Sequence, residues 1–183
     1  MNLNFFNSYF ISMHEAVGNI DNAELIACAD HIERCRDANG KVIIVGNGGS
    51  AAISSHVSVD FTKAAQIRSV NFNEADLITC FANDYGYENW GAKALEAYAD
   101  PQDLVILISS SGQSLNIVNG AKQCQYMNIP LITLTGFKPD NPLREMGDIN
   151  LWVDSSSYNV VEMTHHIWLL AIVDFMIARK EQA

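Results

Sequence analysis

The feature that most constrains the fold is a repeated pattern: a short apolar run, a polar loop, then a segment with helical periodicity. Two of the apolar runs are KVIIV at residues 41–45 and LVILI at residues 104–108. A run with two apolar faces is typical of a strand that is covered on both sides of its sheet. Strands that alternate with helices predict a parallel sheet with helices on each face, the α/β class.

The other elements follow from the same periodicities. Strands are predicted at residues 41–45, 76–81, 104–108, 131–135 and 149–153. Helices are predicted at about residues 4–17, 22–38, 50–63, 90–98, 115–127 and 160–178. The length of 183 residues suits one domain. The two N-terminal helices precede the alternation, which leaves them free to pack against another subunit.

Charge limits the classes of partner. The chain has 21 Asp and Glu against 11 Lys and Arg, so its formal net charge is −10. Binding along nucleic acid or to an anionic membrane needs clustered positive charge, and neither is expected here. A small phosphorylated ligand is not excluded, because backbone amides and hydroxyls can hold a phosphate without net basic charge.

Cysteine usage and the N-terminus indicate a compartment. The four cysteines, Cys28, Cys35, Cys80 and Cys124, are scattered and form no CxxC pair. This usage is typical of reduced, buried thiols in a cytosolic protein. Residues 1–17 lack a basic start and a continuous apolar core, so no signal peptide is expected. Since no continuous apolar run approaches the roughly 18 residues of a membrane span, we expect a soluble, cytoplasmic protein.

The first polar loop is GNGGS at residues 46–50, between a predicted strand and a predicted helix. Glycines let a ligand approach the backbone, and a helix start presents free amides with the positive end of its dipole. The spacing fits neither GxGxxG nor GxxxxGK[ST], so no nucleotide cofactor is expected. A glycine-rich turn after a strand can also be no more than a tight turn. The candidate ligand contacts are Asn47, Gly48, Gly49 and Ser50.

The second polar loop is SSSGQS at residues 109–114, directly after the strand at residues 104–108. Four hydroxyls and a glycine before a helix supply donors for phosphate oxygens. A helix N-cap alone would need only one serine. Two such loops at the carboxyl ends of parallel strands converge on one crevice, which predicts a phosphate site.

Three segments resemble the sugar isomerase (SIS) domain family: VGNGGSAAISSH at residues 45–56, ISSSGQSLNIV at residues 108–118, and EMTHH at residues 162–166. Within that family the chain is most similar to the phosphoheptose isomerases, which interconvert sedoheptulose 7-phosphate and glycero-manno-heptose 7-phosphate. The similarity spans nearly the whole chain, including FANDYGY at residues 81–87.

The resemblance implies a flavodoxin-like three-layer fold with a five-stranded parallel sheet, in one SIS domain over residues 1–183. It also implies a homotetramer with sites shared between subunits, in which residues 1–40 pack on the domain and on neighbouring subunits. A phosphate would be bound by Ser109, Ser110, Ser111 and Ser114. The sugar would be lined by Asn47, Gly48, Gly49 and Ser50, with Asn83 and Asp84 nearby.

Isomerisation of an aldose and a ketose needs a base for the carbon beside the carbonyl. It also needs an acid or a metal at the carbonyl oxygen. His56 and Asp60 lie four residues apart and share a face of their predicted helix. The similar proteins carry His and Glu at these positions; the Glu is the base, and in some members both bind zinc. Asp60, one methylene shorter, is therefore the predicted base.

The last predicted helix carries Glu162, His165 and His166. Glu162 matches a position where the similar proteins have Gln or Glu and contact the metal. Their catalytic, zinc-binding His falls here on Leu170, so His166, one turn after Glu162, is the candidate replacement. Two nitrogens and two carboxylates make a plausible zinc set, although the same spacing is common in ordinary surface pairs. The predicted zinc set is His56, Asp60, Glu162 and His166.

Two hypotheses remain open from sequence. The first is an isomerase that converts sedoheptulose 7-phosphate to D-glycero-D-manno-heptose 7-phosphate for the heptose of bacterial lipopolysaccharide and other surface polysaccharides. The second is a non-catalytic phosphosugar-binding regulator, or a protein that associates with the replication initiator, since the family includes both. Asp60 and Leu170 depart from the catalytic pattern and favour the second hypothesis. Retention of His56, Asp60 and Glu162 together favours the first.

Overall fold

Five parallel strands form a single sheet in the computed structural model, which describes residues 4–182. They are β1 (Val42–Gly46), β2 (Ser69–Asn71), β3 (Leu104–Ser109), β4 (Leu131–Thr135) and β5 (Ile149–Trp152). Their order is β2-β1-β3-β4-β5, the flavodoxin-like order, and every pairing is parallel. Every residue of β1, β3 and β4 is buried, as two-faced apolar runs require. The predicted α/β class and five-stranded parallel sheet are confirmed.

Helices cover both faces of this sheet. They are α1 (Phe5–Gly18), α2 (Asn22–Asp37), α3 (Gly49–Lys63), α4 (Ala75–Tyr85), α5 (Trp90–Tyr98), α6 (Leu115–Met127) and α7 (Tyr158–Glu181). The buried faces of α2, α3 and α7 pack with one side of the sheet around Trp168. Those of α5 and α6 pack on the other side around Trp90. Each large apolar side chain buried in this way stabilises the fold by about 1.5–3 kcal/mol.

The strand predicted at residues 76–81 is wrong, because this segment lies within α4. Leu77, Ile78 and Phe81 recur at helical spacing, and all three pack against the core around Trp90. A strand would have sent Leu77 and Ile78 to opposite faces of the sheet.

The second strand is instead β2, which has three residues and was not predicted. It pairs only with β1, in the register Val42↔Ser69 and Ile44↔Asn71, and forms one edge of the sheet. A short edge strand that is only partly buried carries no long apolar run. Its sequence therefore lacks the signal that marks the central strands.

Within residues 4–182, α7 is the one helix long and apolar enough to cross a membrane by length and composition, with a mean hydropathy of 1.5. Half of that apolar window is buried against the rest of the chain. Trp168, near its middle, is buried and donates from Nε1 to the Val17 carbonyl oxygen at 2.9 Å, which ties α1 to α7. The core helix of a globular protein meets the same length and hydropathy criteria.

Three of the four cysteines are buried thiols, and all four are free. Burial raises the pKa of Cys28 and Cys124 to about 12 and that of Cys35 to about 11. Because the thiolate is the reactive form, these three side chains are protected by inaccessibility and by protonation. Cys80, on α4, is exposed.

We therefore expect the native, reduced protein to react with Ellman's reagent at one thiol per chain, Cys80, and the denatured protein at four. The Cys80→Ser variant is the control. It should show no fast reaction when native and three reactive thiols when denatured. Fast modification of several thiols in the native wild type would contradict the burial of Cys28, Cys35 and Cys124.

Candidate functional site

The first polar loop connects the end of β1 to the start of α3. Gly48 lies in the left-handed region with φ +52°, which favours glycine. α3 begins at Gly49 directly after this turn. The first-turn amides of α3 therefore open at the carboxyl edge of the sheet, where the sequence places the ligand.

The second polar loop connects β3 to α6 and gathers the predicted serines at one helix start. Ser109 Oγ donates to Ser114 Oγ at 3.3 Å, and Ser111 Oγ accepts from the Gln113 amide at 3.2 Å. Within residues 4–182, Ser110 Oγ is buried with no hydrogen-bond partner. Ser114 occupies the N-cap position of α6, yet its side chain makes no capping bond. Unpaired hydroxyls beside free helix amides can receive the oxygens of a phosphate.

Asn141 holds the second loop in place and was missed by the sequence analysis. Its side chain is buried, donates to the Gly136 and Lys138 carbonyl oxygens at 3.3 and 2.8 Å, and accepts from the Arg144 amide at 3.1 Å. Gly112 lies against it at φ +65°, and a Cβ at position 112 would stand 1.8 Å from Asn141 Oδ1. The hydrogen-bond partners of Asn141 lie within five residues of it. They form a local turn whose sequence matches no motif.

An amide pair joins the two loops. Asn47 Nδ2 donates to Asn116 Oδ1 and Asn116 Nδ2 donates to Asn47 Oδ1, both at 2.9 Å. Tyr87, just after α4, donates its hydroxyl to Asn47 Oδ1 at 3.2 Å. The sequence identified Asn47 but neither partner, because nothing local marks a contact that spans 69 residues.

The predicted acid and base side chains meet between α3 and α7. His56 Nδ1 lies 2.8 Å from His166 Nε2, and His56 Nε2 lies 3.3 Å from Asp60 Oδ2. Partial burial, followed by the charge of His56, lowers the pKa of His166, and the charge of Asp60 opposes that shift. A neutral His166 therefore predominates at neutral pH, and Asp60 and His166 are linked through His56.

Glu162 connects the same helix to the first loop. A Cβ at Gly49 would stand 2.2 Å from Glu162 Oε2, so the carboxylate lies directly against the glycine backbone. Within the described residues Glu162 makes no hydrogen bond or ion pair, and burial raises its pKa. Its position at the first turn of α3 is favoured by the helix dipole. A side chain at position 49 would displace this carboxylate.

The side chains of the predicted zinc set, His56, Asp60, Glu162 and His166, are not gathered around one point in this structure, and zinc binding stays a prediction. A structural or catalytic zinc needs at least three protein donors around one point. Among residues 4–182, no group of three or more His, Cys, Asp or Glu side chains is arranged to hold a metal ion. His56 lies between its two partners and turns a different nitrogen to each. The donors are therefore arranged in a row rather than around a centre.

The remaining predicted site residues are Asn83 and Asp84, at the exposed end of α4. Asn83 Nδ2 donates to Asp84 Oδ1 at 2.9 Å, and Cys80 Sγ lies 4.0 Å from Asp84 Oδ2. Both contacts join residues of α4 to each other. The hydrogen bond that reaches the first loop from residues 81–87 is donated by Tyr87. A sugar contact for Asn83 and Asp84 stays a prediction.

His165 and Leu170 serve the core. His165 is fully buried and donates from Nε2 to the Thr135 carbonyl oxygen at 3.0 Å. Burial lowers the pKa of His165 to about 4, so the ring is neutral at physiological pH. Leu170, where the similar proteins have a catalytic His, is partly buried and packs against the core around Trp168. His166 is thus the histidine of α7 that reaches the site.

Comparisons with known proteins identify the family of this chain and solved structures with the same fold. Residues 5–136 match the family model of the SIS domain. A probable phosphoheptose isomerase from Thermoplasma acidophilum is 31% identical over 169 residues, 88% of this chain and 91% of that protein. A solved phosphoheptose isomerase from Francisella tularensis has a TM-score of 0.88 at 25% identity, covering 96% of this chain and 98% of its own. The phosphoheptose isomerase GmhA from Neisseria gonorrhoeae has a TM-score of 0.85 at 25% identity, with 93% and 94% covered.

The Gly112–Asn141 contact predicts that Gly112→Ala deforms the second loop. The added Cβ meets a buried side chain, and φ +65° is strained for alanine, so the free energy of unfolding should fall by about 2 kcal/mol. Urea unfolding measures the change. Gly18→Ala is the matched control, since nothing lies within 4 Å of a Cβ at Gly18, and it should shift stability by less than about 0.5 kcal/mol. Equal stability of the two variants would contradict the proposed packing of the loop.

Proposed function

The chain belongs to the SIS domain family, in its phosphoheptose isomerase branch, and on this premise we propose that it is an aldose–ketose isomerase of phosphorylated sugars. The observation that carries the proposal is the cluster of Asp60, His56 and His166, in which His56 contacts the other two. Both helices that carry these residues start at the carboxyl edge of the sheet. A module that only senses a phosphosugar needs the serine loop and has no use for linked acid and base groups.

The ligand would bind by its two ends. Its phosphate would accept hydrogen bonds from the serines of the second loop and from the first amides of α6. Its carbon chain would pass the first loop and Glu162 toward His56 and Asp60, which lie about two and three turns into α3. The open pair of helix starts at the edge of the sheet supports this orientation.

The reaction would transfer one proton between neighbouring carbons. Asp60, whose Oδ1 has no partner within the described residues, would take the proton from the carbon beside the carbonyl, leaving the electron pair in the double bond of an enediol. His166 engages His56 through Nε2, so its Nδ1 would donate a proton to the carbonyl oxygen. Return of the proton to the adjacent carbon, with loss of the hydroxyl proton to His166, would complete the isomerisation.

We propose sedoheptulose 7-phosphate as the substrate and D-glycero-D-manno-heptose 7-phosphate as the product, made in the cytoplasm for surface-polysaccharide heptose. The names of the relatives from Thermoplasma acidophilum, Francisella tularensis and Neisseria gonorrhoeae support this choice. The chain covers more than nine-tenths of each of these proteins.

A second candidate is a non-catalytic phosphosugar-binding regulator. The specific observation in its favour is that Leu170 packs into the core at a position where the similar proteins keep a catalytic His. Such a protein would bind the same phosphate through the second loop and would show no turnover.

We also propose that the chain assembles as a homotetramer. No side chain of α1 is fully buried, and four of its large apolar residues are 57–67% exposed: Phe5, Phe6, Phe10 and Ile11. Met163, Ile167 and Phe175 add exposed apolar side chains on α7, the helix that packs against α1 and carries His166. An apolar surface of this extent is typical of a subunit interface. A second copy seated there would border the active site.

The isomerase proposal predicts turnover of sedoheptulose 7-phosphate by the purified protein and loss of about a hundredfold or more of kcat in Asp60→Asn. Asp174→Asn, which removes the same charge from an exposed position on α7, is the control and should keep the wild-type rate. Parallel reactions with EDTA and with added zinc show whether the acid–base side chains gather around a metal during turnover. Phosphosugar binding without turnover in the wild type would favour the regulator instead.

The assembly proposal predicts that light scattering after size exclusion gives the mass of four chains. Phe6→Glu combined with Phe10→Glu should shift the protein to smaller species, because two charges would enter the apolar face of α1. Tyr126→Glu, at an 83% exposed site on α6, is the control and should leave the mass unchanged. A monomeric wild type at micromolar concentration would contradict the proposal.

A further inference from the structure

The amide pair between the loops lies at the point where the sheet reverses its winding. β1 lies between β2 and β3 in the sheet. The crevice at the carboxyl ends of β1 and β3 is therefore the topological switch point of the fold. Asn47 follows β1 directly, and Asn116 is the second residue of α6. Their side chains therefore span the crevice in which a ligand of this fold is expected.

The hydrogen bonds of the pair use up the acceptor capacity of Asn47. Its Oδ1 accepts from Asn116 Nδ2 at 2.9 Å and from the Tyr87 hydroxyl at 3.2 Å, which occupies both lone pairs. One of its two N–H groups donates to Asn116 Oδ1 at 2.9 Å. What remains for a ligand is one N–H donor.

Asn116 itself is out of reach of a ligand. Its exposed fraction is 2%, whereas Asn47 is partly exposed at the loop. A buried primary amide without partners would cost free energy, so the reciprocal pair satisfies Asn116 while it fixes the side-chain orientation of Asn47. Residues held in one orientation by a partner bind a ligand without a further loss of conformational freedom.

We propose that Asn116 is a positioning residue of the active site: it holds Asn47 so that the first loop presents a single N–H donor to a sugar oxygen, at a fixed distance from the serines of the second loop. This role rests on the proposed phosphosugar function. It assigns Tyr87 the supporting task of filling the second lone pair of Asn47 Oδ1. Asn47 then recognises a sugar oxygen as an acceptor and does not accept from a sugar hydroxyl.

A double-mutant cycle tests the proposal. Calorimetric titration with sedoheptulose 7-phosphate is run on wild type, Asn47→Ala, Asn116→Ala and the double variant, below the unfolding temperature of each. We expect Asn116→Ala to weaken binding by about tenfold although it does not touch the ligand. In the Asn47→Ala background the same change should have no further effect, because the group it positions is gone. The proposal would be overturned if the affinity losses of the two single variants multiplied in the double variant, or if Asn116→Ala kept full affinity.

Two further variants test whether the effect is specific to the contact between the loops and to the side-chain donor of Asn47. Asn119→Ala, on the same helix, removes an amide that bonds Glu88 and Asn89 and reaches neither loop, so it should keep wild-type affinity. Asn47→Asp retains both accepted hydrogen bonds and removes every side-chain donor, including the one to Asn116 Oδ1. It should lose affinity, and its unfolding midpoint should fall as well, because a carboxylate oxygen would then face the buried Asn116 Oδ1. Equal loss of affinity in Asn119→Ala, or full affinity in Asn47→Asp, would reject the role.

The outcomes also distinguish this role from the proposed function. Wild-type binding with no turnover would reject the isomerase function. The positioning role would then still be decided by the double-mutant cycle in binding affinity. No binding of the phosphosugar by the wild type would reject both. If turnover is present, the proposal expects Asn116→Ala to raise KM with little change in kcat, since the acid–base groups lie on α3 and α7.

Discussion

The direct parallel pairing of β1 with β3 decides where the other parts of the site can lie. In this register Ile44 stands opposite Ile106 and Gly46 opposite Ile108, so the two strands end side by side. The chain then leaves β1 into α3 on one face of the sheet and β3 into α6 on the other face. Two helix starts, each with unpaired amides, therefore open toward one crevice. Both strands are fully buried, which fixes their register through the packing of both faces.

α7 adds the chemical groups that the sheet edge lacks. It begins after β5 and packs along α3, so residues more than 100 positions apart meet across a helix pair. The packing places Glu162 against the first turn of α3 and His166 against His56, one turn of α7 further on. The core side chains of the two helices, including Phe61 and Trp168, hold this alignment. The relative positions of these proposed acid–base groups thus depend on the hydrophobic packing beneath them.

The sequence predicted the elements whose signal is local. β3 and β4 are two-faced apolar runs, and their positions and the loops after β1 and β3 follow from that pattern alone. α4 was mistaken for a strand because a short apolar run does not distinguish the two periods, and the edge strand β2 carries no such run.

The candidate site residues that lie in motifs could be named from the sequence, and those that depend on tertiary contacts could not. The glycines and serines lie in loops between elements with clear periods, and the His56–Asp60 and Glu162–His166 pairs follow helical spacing. Asn116 and Tyr87 act through a residue 40 or more positions away, and Asn141 acts through a turn without a motif. Zinc binding stays a prediction for a related reason: spacing along two helices puts donors on facing surfaces, and it does not decide whether they point at one centre.

The two departures from the phosphoheptose isomerase pattern are consistent with one another in this geometry. Loss of a histidine at Leu170 removes an imidazole one turn below His166, and that position is given to core packing. His56 compensates by turning Nδ1 toward His166 while Nε2 faces Asp60. A carboxylate one methylene shorter than glutamate stays close to its own helix, where an i,i+4 imidazole can reach it. Under the proposed isomerase function, Asp60, His56 and His166 would therefore act as one acid–base unit, joined by the two contacts of His56.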